Sequence, residues 1–201
     1  VSFGNISIFK YYLKMKKNHK DLEKAFLYAV LYDLRNILDY FFENLVNEGF
    51  QLSDKCISKS LNISVIDDSC DLYFYLIEKY KQTNPLFNES KFSLDEILSN
   101  ACSFGNFIVV KAITELIIKN YKINNDNDFD QFKTSFTNNF IKAAALESMD
   151  ICQYFLDKKV PIDFGILSLN ANELSSLNAK VFSSVIEKCN LSEKNLLLHY
   201  S

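Results

Sequence analysis

The chain has no tryptophan, two prolines and four glycines in 201 residues. A β-rich fold needs many turn residues, so this scarcity argues against all-β architectures and for helices joined by short polar links. Histidine is equally scarce: His19 and His199 stand near opposite ends of the sequence. There is no HExxH pair, glycine-rich phosphate loop or GxSxG elbow. No apolar run approaches the ~20 residues of a membrane span. The best, Phe107 to Ile118, is interrupted by Lys111 and Glu115. No signal peptide is visible. Excess charge is also lacking, with 22 Lys and Arg against 25 Asp and Glu. A net charge of −3 excludes nucleic-acid binding by bulk charge.

What remains is ordinary for a folded chain: 48% hydrophobic residues, rich in Phe and Tyr. The five cysteines (Cys56, Cys70, Cys102, Cys152, Cys189) are dispersed, odd in number and form no CxxC. That pattern reads as reduced thiols in an intracellular, cytoplasmic setting. Sequons such as Asn5-Ile6-Ser7 and Asn62-Ile63-Ser64 are expected by chance in a chain rich in Asn and Ser. The basic run Lys14 to Lys20 reads as a solvated helix end, with an acidic-partner patch as the alternative. Asp126, Asp128 and Asp130 match the first three ligand positions of a calcium loop. Gln131 replaces the turn glycine and Thr137 the bidentate glutamate, so the site is not expected to close.

The tetrapeptide Ser-Phe-Gly-Asn occurs at Ser2–Asn5 and again at Ser103–Asn106, each time before an apolar stretch. It belongs to a longer repeat. An apolar-apolar-x-x-apolar-apolar anchor recurs at Ile8, Ile37, Leu72, Val109, Ile151 and Val181. Of its 24 positions 23 are apolar, Thr114 being the exception, against 48% in the whole chain. Successive anchors lie 29, 35, 37, 42 and 30 residues apart. The spacing puts these side chains on one face of a helix. Six residues after each anchor stand Lys14, Glu43, Glu78, Glu115, Asp157 and Glu187. A first helix precedes each anchor helix. Its small residue lies eight before the anchor (Ala29, Ser64, Ala101, Ala143) and its large one eleven before (Phe26, Leu61, Leu98, Phe140). Tyr11, Tyr40, Tyr75 and Tyr154 share one column and read as packing between adjacent repeats.

The stretches RNILDYFFE, DLYFYLIE and DICQYFLD resemble the second helix of ankyrin repeats. LSNACSFGN and FIKAAALES resemble the first helix and its turn. The slots at Gly49–Ser53, Asn120–Asn124, Lys159–Asp163 and Lys188–Ser192 resemble the family's Gly-Ala-Asp-x-Asn turn. Glycine or Asn suits the left-handed residue that ends a helix there, and Lys suits it less. The family's Thr-Pro-Leu-His is absent, and with it the hydrogen bonds that brace its hairpin fingers. Two links, Lys81 to Phe92 and Tyr121 to Gln131, are long and polar.

The resemblance implies an all-α fold, an α-solenoid of about six stacked helix-turn-helix ankyrin-like repeats. The expected repeats are 1–20, 21–53, 54–92, 93–130, 131–164 and 165–191, with another opening at 192–201. Neither end carries a polar cap, so a segment of a longer array is expected. It further implies a non-catalytic scaffold that binds a protein partner on its concave face. The residues carried over are Tyr28, Tyr32, Asn100, Phe104, Lys142 and Glu147. No cofactor, metal, nucleic acid, membrane or small-molecule substrate is expected. Two other readings stay open: a substrate-recruiting or spacer array of a larger multidomain enzyme, and a compact all-α enzyme or ligand-binding bundle.

Overall fold

The structure, a computed structural model, describes residues 7, 9–11, 18–46, 48–66, 70–121, 129–170 and 179–188. Among these every regular element is helical and none is a strand. No described helix is long and apolar enough to cross a membrane. The first Ser-Phe-Gly-Asn, Asp126 and Asp128 of the calcium-like run, and the sequence after Lys188 lie outside the described residues. The chain forms two compact units, Val1–Ser93 and Leu94–Ser201.

The first unit holds α1 (His19–Leu31), α2 (Arg35–Tyr40, continuing as a π-helix over Phe41–Val46), α3 (Asp54–Ser64) and α4 (Cys70–Thr83). Asn18 caps α1 by accepting the Lys20 N–H, and Ser53 caps α3 by accepting the Cys56 N–H. Helices α1 and α2 form one hairpin, α3 and α4 the next. Like packs on like, α1 against α3 and the π-helical stretch against α4. Phe26 lies edge-on to Phe41 and Phe42, at 5.3 and 5.7 Å between centroids. Tyr80 joins this cluster, its buried hydroxyl satisfied by Ser60 at 2.6 Å. The link after α4 is built rather than loose. It contains a 3-10 turn over Glu89–Lys91, Phe87 stacked on Tyr80 and Phe92, and a 2.5 Å ion pair from Lys81 to Glu89.

The second unit holds α5 (Leu94–Ser103), α6 (Phe107–Tyr121), α7 (Phe129–Ala145), α8 (Met149–Asp157), α9 (Phe164–Leu169) and α10 (Ala179–Lys188). Its hairpins α5–α6 and α7–α8 follow the same rule, α5 against α7 and α6 against α8. Helix α9 packs on α7 and α10 on α8.

Both sequence columns occupy the core. The anchors on α2, α4, α6 and α8 are buried at all four positions of each helix, Thr114 included. So are the small residues Ala29, Ser64, Ala101 and Ala143 and the large ones Phe26, Leu61, Leu98 and Phe140. A small side chain lets the neighbouring helix approach, and the large one three places away fills the gap beside it. The acidic column is exposed throughout its described members, Glu43, Glu78, Glu115, Asp157 and Glu187.

Three inter-helix turns share one hydrogen-bond pattern despite unrelated sequences. The N–H of Leu34, Asn106 and Ser148 donates to the seam alanine five residues back, at 2.8, 2.8 and 2.9 Å. The residue before each is left-handed: Asp33 at φ 46°, Gly105 at 67° and Glu147 at 58°. This arrangement satisfies carbonyls that a helix end would otherwise leave open. A second shared turn ends α2 and α8. Gly49 and Lys159 are left-handed, Phe50 donates to Leu45 at 2.9 Å and Val160 to Phe155 at 3.2 Å. Four residues on, Ser53 and Asp163 cap the next first helix. The second helix is longer before Gly49 than before Lys159, and its C-terminal half, Phe41–Val46, is where the helix widens to π geometry.

Candidate partner-binding surface

The first helices end, and the inter-helix turns begin, with apolar side chains that no core position requires. Five residues before the anchor stand Tyr32, Phe104 and Leu146, which are 54%, 44% and 53% exposed. In the first unit Tyr28 and Tyr32 stack, ring centroids 5.8 Å apart and planes 25° from parallel. They are one helical turn apart, so the stack follows from α-helical spacing alone. Leu31 and Ile66 are exposed at matching ends of α1 and α3.

The second unit places its predicted residues on neighbouring hairpins. Phe104 and Gly105 form the α5–α6 turn and Glu147 the α7–α8 turn. These turns are adjacent, since a Cβ built on Gly105 would lie 3.3 Å from the Ser148 hydroxyl. Lys142 is exposed and donates to the Ser99 hydroxyl across α5 and α7. Asn100 is half-buried on the flank of α5, the helix that packs against α7. Glu147 owes its position to the left-handed turn, and its side chain projects into solvent. Leu31, Ile66 and Leu146 were missed. A signal for Leu146 was present, because it shares the column of Tyr32 and Phe104.

Nothing in this geometry assembles a reactive centre among the described residues. The His19 ring pairs its Nε2 with the Gln51 carbonyl at 2.7 Å and packs on Phe50 at 4.7 Å. Cys56, Cys102 and Cys152 are buried free thiols. Burial pushes Cys56 and Cys152 up to about 12 and raises Cys102 as well, which keeps them protonated and unreactive. No group of three or more His, Cys, Asp or Glu side chains among the described residues could hold a metal ion.

Comparison of the chain with protein-family models, curated proteins and solved structures gave no significant match.

Proposed function

We propose that this chain is a non-catalytic, intracellular scaffold, an α-solenoid of ankyrin-like helix-turn-helix repeats that binds a protein partner. The binding residues lie on the first helices and inter-helix turns: Tyr28 and Tyr32 are the apolar anchors in the first unit, and in the second Phe104 and Leu146 are the anchors, with Asn100, Lys142 and Glu147. One observation carries the reading. Tyr32, Phe104 and Leu146 occupy one column of the repeat, and all three are large, apolar and exposed. Isolated exposed apolar residues need no explanation, but recurrence at one structural position does. Aromatic anchors at such a position are the residues that dominate interface energetics. Like-on-like packing of the hairpins supports the solenoid part. The buried free thiols support a reducing compartment.

The test is crosslinked capture from source cells, with the wild-type chain and a Tyr32→Ser/Phe104→Ser/Leu146→Ser variant as parallel baits. The expected result is partner proteins held by the wild type and lost from the variant, with helical circular dichroism and Tm preserved. Equal recovery by both baits would sink the reading.

A further inference from the structure

The first unit carries a charge pattern that its net composition hides. On α1, Lys20, Lys24, Tyr28 and Leu31 are all exposed at spacing i, i+4, i+8, i+11. Lys55, Lys59 and Ile63 on α3, with Ile66 just past its end, repeat that spacing, the lysines and Ile66 exposed and Ile63 half-exposed. Each set forms one stripe on its helix. The stripes run side by side because α1 packs against α3 in parallel register. Glu23 accepts the Ser53 N–H at 2.7 Å, and the Cys56 thiol donates to the Glu23 carbonyl at 3.9 Å. The four ammonium groups therefore project from sites about 6 Å apart along each helix and roughly 10 Å apart across the pair. The spacing along each helix is within the ~8 Å Debye length at physiological ionic strength and the spacing across the pair is close to it, so their fields add.

Among the described residues these cations are only partly paired. Lys20, Lys55 and Lys59 enter no ion pair among the described residues, and Lys24 has only a 3.9 Å contact to Asp21. The nearby Glu23 carboxylate is engaged by Ser53, and Asp54 stands in the first turn of α3, where it favours the helix dipole. At the matching columns, seventeen and thirteen residues before the anchor, the second unit carries Phe92 just before α5 and Glu96 on it, and Thr134 and Asn138 on α7. The basic stripe thus belongs to the first unit, in a chain whose net charge is −3.

Building on the scaffold reading, we infer that the α1–α3 face takes an acidic segment of a partner protein that carries bulky apolar side chains. The carboxylates meet Lys20, Lys24, Lys55 and Lys59. The apolar anchors meet Tyr28, Leu31 and Ile66 at the C-terminal ends of the same stripes. Charge complementarity selects the acidic part, and the adjoining apolar patch selects a peptide over a simple anion. A purely anionic polymer leaves that patch uncovered.

The experiment is selection of displayed random peptides of about 15 residues against the intact chain, followed by Kd measurement on individual peptides by fluorescence anisotropy. Selected peptides are expected to combine Asp or Glu with Leu, Phe or Trp. Their affinity is expected to fall about tenfold or more on reversing the four lysines to Glu. A Lys→Gln set at the same sites preserves helix propensity and is expected to weaken binding in the same direction. Lys119→Glu, on the exposed side of α6 in the second unit, is expected to leave Kd unchanged. Peptides without acidic bias, or with a Kd indifferent to the four lysines, overturn the inference. If such peptides are lost on Phe104→Ser/Leu146→Ser, the scaffold reading stands while this one fails. A selection yielding no peptide overturns it too, and the capture experiment then decides the scaffold reading alone. Binding of phosphatidylserine vesicles or single-stranded RNA through the same lysines, with acidic peptides inert, reassigns the face.

Discussion

The Tyr75 hydroxyl donates a 2.8 Å hydrogen bond to Asp39, on the second helix of the preceding hairpin. Lys79, one turn further along α4, reaches the same carboxylate at 2.7 Å and Glu43 at 3.7 Å. Arg35 and Lys79 lie over the Tyr75 ring at 4.5 and 5.6 Å. The second unit repeats this arrangement. Tyr154 donates to the Lys111 carbonyl at 3.4 Å, and Lys158 binds Glu115 at 3.1 Å. In both units a Tyr and a Lys one turn apart hold the preceding second helix. Replacing Tyr75 with Phe is expected to cost about 1 kcal/mol. Removing Lys79 as well is expected to cost less than the sum of the single changes. A double-mutant cycle by urea denaturation measures both, and strict additivity would show that the two do not act on one carboxylate.

The same contacts set an acid limit. Burial opposes ionisation of Asp39, but hydrogen bonds from Lys79 and Tyr75 outweigh it and lower its pKa. Lys158 lowers Glu115, and the Ile166 N–H lowers Asp163. A carboxylate with a folded pKa below its unfolded one adds stability that is complete above the unfolded value and lost as pH falls through the folded value. Tm is therefore expected to be flat between about pH 7 and 5 and to drop below about pH 4. Asp39→Asn is expected to shallow that drop. An unchanged slope in the variant would remove Asp39 from the account.

Left-handed backbone predicts opposite signs for opposite substitutions. Gly105 sits at φ 67° and a Cβ there would crowd Ser148, so Gly105→Ala is expected to destabilise by about 1–2 kcal/mol. Glu147 and Lys159 bear the strain that Gly105 avoids. Glu147→Gly and Lys159→Gly are each expected to stabilise by about 0.5 kcal/mol, relief of strain outweighing the added unfolded-state entropy. Thermal denaturation of the three variants checks the signs, and a loss for both glycine replacements would refute the turn argument.

Thr114 is the one polar residue among the anchor positions. It is fully buried, and its hydroxyl has no hydrogen-bond partner among the described residues. Thr114→Val keeps the shape and removes the unsatisfied group, for an expected gain of about 1 kcal/mol in denaturant unfolding. A loss of stability would mean that the hydroxyl is engaged.

The small-residue seam gives the reverse case. Ala101 is buried on α5, and its carbonyl accepts the Asn106 N–H of the following turn at 2.8 Å. Ala101→Leu is expected to destabilise by about 1–3 kcal/mol through overpacking. Leu at the exposed Lys119 on α6 is the control and is expected to be near neutral by the same assay.

Much of this protein is decided by local sequence. The anchor and seam columns are buried because their spacing matches the helical period, a property of the chain within a dozen residues. Gly105 and Gly49 mark left-handed turns for the same local reason. Asp33, Glu147 and Lys159 occupy equivalent turns without a glycine to announce them, because the turn hydrogen bonds and flanking helices impose the conformation. Only the tertiary structure decided that Lys79 meets Asp39, that Lys158 meets Glu115, and that the lysine stripes of α1 and α3 lie together. Residues some thirty to forty positions apart become neighbours only when like helices stack. Exposure at Leu31, Ile66 and Leu146 is likewise set by which flanks of a helix its neighbours leave uncovered, a matter of packing that periodicity within one helix does not contain.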